Sequence, residues 1–126
     1  MRRTTPALTL ASVLIFAGGL FGAPGIETMD GTIGKNLQSY VNIRLTEPAP
    51  AGGLTLTITS DDPARLLLST NPELQGKSSL QLKLGPRWRE SQDVWLQARG
   101  DHGTVTYTVT APGYGSSKGT ITLAPS

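Results

Sequence analysis

Gly103-Thr104-Val105-Thr106-Tyr107-Thr108-Val109-Thr110-Ala111-Pro112-Gly113-Tyr114 decides the fold. Val105, Tyr107, Val109 and Ala111 alternate with Thr104, Thr106, Thr108 and Thr110. A period of two places one set of side chains on each face of a strand, so this run buries one face and wets the other. Threonine is β-branched, unfavourable in helices and suited to a pleated surface. Pro112-Gly113 then ends the run, because proline removes a ladder donor and glycine permits positive φ.

The same period recurs on both sides. Val41, Ile43 and Leu45 alternate with Asn42 and Arg44; Leu54, Leu56 and Ile58 with Thr55, Thr57 and Thr59; Leu80, Leu82 and Leu84 with Gln81 and Lys83. Val94, Leu96 and Ala98 alternate with Trp95, Gln97 and Arg99, and Ile121 and Leu123 with Thr120 and Thr122. Arg65 to Ser69, enclosed by Asp62-Pro63 and Asn71-Pro72, is read as a strand buried on both sides. The expectation is an all-β, antiparallel β-sandwich of about seven strands, two layers being needed to hide the apolar faces. A small closed barrel is the second choice. Val105, Tyr107, Val109 and Leu56 are the expected centre.

Residues 24–36 are Gly-rich and polar, and are read as a tether that includes a short edge strand near Thr32-Ile33; the domain then spans 37–126. Before the tether, Met1-Arg2-Arg3 is positive, the run from Ala7 to Phe21 is apolar, and small residues follow. Those are the parts of a secretory signal peptide over residues 1–23, with processing between Gly19 and Ala23. The competing reading is an uncleaved anchor, since a spanning helix needs about 20 apolar residues; the prolines and glycines at both ends favour cleavage. Either way the remainder lies outside the cytoplasm, secreted or at the cell surface.

Ala49-Pro50-Ala51-Gly52-Gly53 leading into Leu54-Thr55-Leu56-Thr57-Ile58-Thr59-Ser60-Asp61-Asp62-Pro63, together with the 103–114 run, resembles bacterial immunoglobulin-like repeat modules of secreted or surface proteins. The resemblance extends from about Asn36 to Ser126 and implies an Ig-like sandwich with a structural, adhesive or recognition role. The implied partners are neighbouring Ig-like modules, a cell-surface protein or a polysaccharide. The antibody-type cysteine pair is absent, as the chain has no cysteine. Tyr107 is similar to the tyrosine corner of such folds in type but not closely in position.

Composition narrows the chemistry. At 126 residues the chain allows one domain. Beyond Arg2 and Arg3, nine basic groups meet nine acidic ones, which leaves no basic field for nucleic acid. Without cysteine there is no thiol nucleophile or cysteine zinc site, and the single histidine, His102, supports no multi-histidine metal site. His102 is read as a solvated turn residue. Asp61, Asp62, Asp101 and Glu47 lie in expected loops and could hold Ca²⁺, but no EF-hand series is present and ordinary turn chemistry is preferred. Gly113 to Gly119 lacks the spacing of a phosphate loop and is read as a flexible hairpin loop. Arg87-Trp88-Arg89-Glu90 is read as charge protecting an unpaired strand edge. No catalytic, cofactor or metal residue is assigned. The expected function is that of a non-enzymatic module. The alternative is a carbohydrate-binding module stacking sugars on Trp88 and Trp95 beside Arg99. Against it stands the reading that Arg99 or Arg44 covers the Trp95 indole and Trp88 folds over the sandwich end. A membrane is a partner only if the N-terminal segment is an uncleaved anchor.

Overall fold

The computed structural model describes residues 24–126, so the leader expected over 1–23 lies outside the described residues. Ten strands follow in order: β1 (Ile26–Glu27), β2 (Gly31–Gly34), β3 (Gln38–Val41), β4 (Arg44–Leu45), β5 (Leu54–Ser60), β6 (Leu66–Ser69), β7 (Ser79–Leu84), β8 (Val94–Ala98), β9 (Thr104–Ala111) and β10 (Gly115–Ala124). They form a five-stranded sheet, β2-β10-β9-β5-β7, and a three-stranded sheet, β3-β8-β6; β1 pairs with β4. β4 continues the line of β3, and Leu45 donates to the Arg89 carbonyl at 2.8 Å, so β1 extends the smaller sheet.

In an immunoglobulin-type sandwich one sheet holds the first, second, fifth and fourth strands and the other the third, sixth and seventh. Here β1, β3/β4, β8 and β6 make the first set and β5, β9 and β10 the second. β2 and β7 are added at the edges of the larger sheet. The arrangement is an Ig-like β-sandwich with one parallel pairing, β2 with β10, where a wholly antiparallel set was expected.

The alternating apolar residues of both sheets meet in one core. Leu56, Ile58, Leu66, Leu68, Val94, Leu96, Tyr107 and Val109 are fully buried, and Val105 is 4% exposed. Val41, Ile43 and Leu45 are buried as their alternation requires, although the strand breaks between β3 and β4. There Ser91 bridges the gap, its hydroxyl accepting from the Ile43 N–H at 3.0 Å. β6 is a strand as expected, with Leu66 and Leu68 in the core but Leu67 only half-buried.

Three expectations are corrected. The segment 24–36 is not a tether: β1 and β2 pair with β4 and β10, and Ile33 enters the core. Side chains hold it as much as ladders do, since the Asp30 carboxylate accepts from the Thr120 N–H at 2.8 Å and the Thr28 hydroxyl donates to the Lys118 carbonyl at 2.8 Å. Gly115 to Gly119 is strand, not loop. The hairpin closes within Pro112–Tyr114, the Tyr114 N–H reaching the Ala111 carbonyl at 3.0 Å with Gly113 and Gly115 at positive φ. The Arg87–Glu90 segment borders no open edge, because Leu45 and Ala49 donate to the Arg89 and Trp88 carbonyls, each at 2.8 Å.

Tyr107 lies inside the larger sheet opposite Gly119. A Cβ on Gly119 would stand 2.3 Å from the tyrosine ring, so only glycine lets the ring pass. The phenol then donates to the Met29 carbonyl at 2.5 Å and accepts from the Met29 N–H at 3.0 Å. That bond joins β9 to the β1–β2 connection, 78 residues upstream, unlike the local contact of a tyrosine corner.

Gly25 and the end of β10 lie at opposite poles. The first pole holds Gly25, tied to Thr46, together with the β4–β5, β7–β8 and β9–β10 connections; the second holds the end of β10, the 100–103 loop and Arg65. Arg65 staples the second pole, donating to the Asp62 carboxylate at 2.8 Å and to the carbonyls of His102 and Thr104 at 3.1 and 3.0 Å.

Candidate interaction face

β3 and β8 run antiparallel with Gln38 opposite Gln97, Tyr40 opposite Trp95 and Val41 opposite Val94. Val41, Val94 and Leu96 point into the core, so the strand period sends Gln38, Tyr40, Trp95 and Gln97 outward. Tyr40 is 52% exposed and its ring centroid lies 5.3 Å from that of Trp95, tilted by 58°, a favourable aromatic geometry. Tyr40, not an arginine stem, is therefore the neighbour that covers Trp95. Towards the first pole the row continues with Asn42 donating to Asp93 at 2.7 Å and Arg44 beside Glu90 at 3.5 Å. The outer face of the smaller sheet is thus a line of cross-strand pairs, amide, aromatic, amide–acid and ion pair.

Gln97 is the hinge-pin of the other end. Its amide nitrogen donates to Gln38 at 3.1 Å and to the Leu74 carbonyl at 2.8 Å, while its oxygen accepts from the Gly76 N–H at 2.8 Å. Gln38 in turn donates to the Pro72 carbonyl at 2.7 Å. These bonds hold the 70–76 loop across the sheet and leave an open groove of about 650 Å³ bordered by Asn36, Leu37, Gln38, Pro72, Gln97 and Arg99.

The structure places the three residues proposed from sequence on β8, just beyond its end and in the connection before it. Trp95 sits in the middle of this face and Arg99 at its groove end, exposed, with its N–H donating to the Arg65 carbonyl at 2.8 Å. Trp88 lies in the connection before β8. There Gly85-Pro86-Arg87-Trp88 makes a turn, the Trp88 N–H donating to the Gly85 carbonyl at 3.1 Å and Arg87 held at φ 69°. That left-handed conformation costs a non-glycine residue roughly 1–2 kcal/mol. A Cβ at Gly85 would meet the Trp88 indole at 2.9 Å, so the ring rests on the glycine, yet it is 53% exposed.

The acidic loop residues are separately engaged. Asp61 accepts from Thr106, from Thr108 at 3.0 Å and from Lys118 at 3.0 Å. Partial burial pushes its carboxyl up, but these bonds and the Lys118 charge outweigh that and hold it below the ordinary carboxylate value. Asp62 holds Arg65. Asp101 accepts from the His102 ring at 2.8 Å, which lowers its pKa, and His102 itself is 89% exposed.

The fold and this face define an all-β sandwich whose smaller sheet carries an aromatic and amide row. No protein-family model matches the chain, and no curated protein does. Among solved structures it is similar to CaCohA2 from Clostridium acetobutylicum, a cohesin module, in its solution structure: TM-score 0.58, 9% identity, covering 81% of this chain and 91% of that one. A crystal structure of CaCohA2 in complex with a variant of CaDoc0917 at pH 5.5 aligns with TM-score 0.40 and 12% identity over 79% and 99% of the two chains. The likeness to the solution structure is one of fold, and the fold is an all-β sandwich.

Sequence reasoning missed Tyr40. The alternation with Val41 already turns it outward, but its place beside Trp95 depends on which strands pair, and the alternation within β3 and β8 is silent on that.

Proposed function

We propose that the protein is a non-enzymatic module, exported by residues 1–23, that binds a protein partner through the outer face of β3 and β8. The observation that carries this is the Tyr40–Trp95 pair, Tyr40 exposed and Trp95 half-buried, on the outer face of the sheet and bordered by Gln38, Gln97 and Asn42. Exposed aromatic side chains on preformed surfaces are the usual anchors of interfaces. The one histidine is engaged with Asp101 at a solvent-exposed turn, away from this face. Kinship with tandem Ig-like repeats of surface proteins is the finer reading, supported by the 49–63 and 103–114 motifs. Binding of a neutral polysaccharide is the second reading, favoured by the same aromatic pair beside amides that suit sugar hydroxyls.

Affinity capture from cell-envelope and extracellular fractions, with wild-type protein and Tyr40→Ala, tests both. We expect a partner protein whose affinity falls about 30-fold or more in Tyr40→Ala, the loss typical of an interface anchor, with an unchanged Tm. Equal capture by both forms overturns the face assignment. A saturable change in Trp95 fluorescence with soluble glycans, lost in Tyr40→Ala, shifts the assignment to the polysaccharide.

A further inference from the structure

We infer that the outer face of β3 and β8 takes a proline-rich segment of its partner, extended as a polyproline II helix; this rests on the reading of that face as the binding surface. At the middle of the row the acceptors are filled and donors are left over. Gln97 donates both amide hydrogens, to Gln38 at 3.1 Å and to the Leu74 carbonyl at 2.8 Å, and its oxygen accepts from the Gly76 N–H at 2.8 Å. Gln38 accepts from Gln97 and donates one of its two hydrogens to the Pro72 carbonyl at 2.7 Å. Three groups of these four side chains have no hydrogen-bond partner among the described residues: the second amide hydrogen of Gln38, the Trp95 indole N–H and the Tyr40 hydroxyl. The first two can only donate, and the hydroxyl donates as readily as it accepts. The surface therefore matches a ligand rich in carbonyls and poor in N–H groups.

A proline-rich segment has that chemistry. Each proline carries a carbonyl and no N–H, and the polyproline II helix makes no internal hydrogen bonds, so its carbonyls stay available. Its apolar rings pack on aromatic side chains, which is how aromatic-lined grooves hold such segments. The Tyr40 and Trp95 rings, 5.3 Å apart and tilted by 58°, offer two such surfaces on neighbouring strands. Charge agrees with an uncharged ligand, because Arg44 stands beside Glu90 and Asp93 accepts from Asn42, so the row is neutralised from within. The Asn42 amide oxygen accepts from none of the described residues, and it can receive the N–H of an interspersed residue that is not proline. Past Gln38 the groove continues between Leu37, 55% exposed, and Pro72, which extends the apolar contact. A neutral polysaccharide would meet the same rings, but every hydroxyl brings a donor, and the Gln38 and Gln97 oxygens that suit it are already taken.

The test follows the indole N–H signals of Trp88 and Trp95 by NMR in the isotope-labelled full-length chain, with Trp88→Phe to assign them. The probes are an oligoproline of about ten residues, roughly 31 Å long as polyproline II, a glycine–serine peptide of equal length, an oligoglutamate and cellohexaose. We expect the oligoproline to move the Trp95 signal downfield and saturably, as a donor finding its acceptor does, while the Trp88 signal stays in place. Tyr40→Phe, which keeps the ring, should weaken this binding about fivefold, the worth of one neutral hydrogen bond. Tyr40→Ala should abolish it with the remaining amide spectrum unchanged. No saturable shift with oligoproline overturns the inference, as does an equal shift with the glycine–serine peptide. Tighter binding of cellohexaose overturns it in favour of a polysaccharide, and tighter binding of oligoglutamate in favour of an acidic ligand held by the exposed Arg99. A captured partner that depends on Tyr40, with oligoproline leaving Trp95 unmoved, would sink this inference alone; capture that ignores Tyr40 would sink the face itself.

Discussion

Tyr107 shows how much one side chain can connect. Its ring fills the core, its position is permitted by Gly119, and its hydroxyl serves both backbone groups of Met29. Tyr107→Phe keeps the ring and strands the Met29 N–H and C=O, so we expect a loss of about 1–3 kcal/mol, read in urea unfolding. Gly119→Ala should cost a similar amount by overpacking, about 1–3 kcal/mol, and less in a Tyr107→Val background where the ring is gone. Burial raises the Tyr107 pKa; the Met29 bond opposes this and Asp30 adds to it. The folded state thus holds the phenolic proton more tightly than the unfolded chain. Stability should be intact below about pH 10, the ordinary tyrosine value, and fall as pH rises through the raised value. Tyr107→Phe should lack that part of the alkaline slope. The alternation around Thr104–Ala111 foretold the burial of Tyr107. It could not foretell the partner, because a bond spanning 78 residues leaves no local mark.

At the scale of elements, strands with a wet and a dry face were legible because each alternation is local. β2 was legible as a short edge strand near Thr32-Ile33, but β1 and the docking of the segment were not, since it is short and Gly-rich and is fixed by bonds from Asp30, Thr28 and Met29 to β9 and β10. Gly119 misled in the same way: beside Ser116-Ser117-Lys118 a glycine reads as loop, whereas here it makes room for a ring. On the outer face of the larger sheet Asp61 joins the end of β5 to Thr106 and Thr108 of β9 and Lys118 of β10. Because its folded pKa is lowered, the unfolded state takes up its proton first on acidification. The contribution is therefore present above about pH 3.9, the ordinary aspartate value, and lost as pH falls through the lowered value. Asp61→Asn should flatten the acid limb of a Tm-against-pH series and leave the limb above neutrality unchanged; an unaltered acid limb would remove Asp61 from the account. Thr108 faces outward as its parity requires, but it is bonded to Asp61 and Lys118, whereas Thr104 and Thr110 are outward positions whose side chains make no bond among the described residues.

For the whole molecule, two-layer packing followed from the number of half-apolar strands, while the division of those strands between sheets did not. Nothing in the alternation places β8 between β3 and β6, and so nothing in it brings Tyr40 onto the surface that Trp95 and Gln97 share or sends Trp88 to a pole. The parallel pairing of β2 with β10, read with the opposite placement of Gly25 and the end of β10, has a mechanical consequence. A pull applied at Gly25 and at the end of β10, once β1 has parted from β4, draws β2 toward one pole and β10 toward the other, along the direction of both strands. The register pairs from Gly31–Ile121 to Gly34–Ala124 are then loaded side by side and must yield together, not one after another as in a hairpin peeled from its end. In single-molecule extension this arrangement should give one abrupt, high-force rupture. A chain strung between two fixed points would carry tension along the β2–β10 pair.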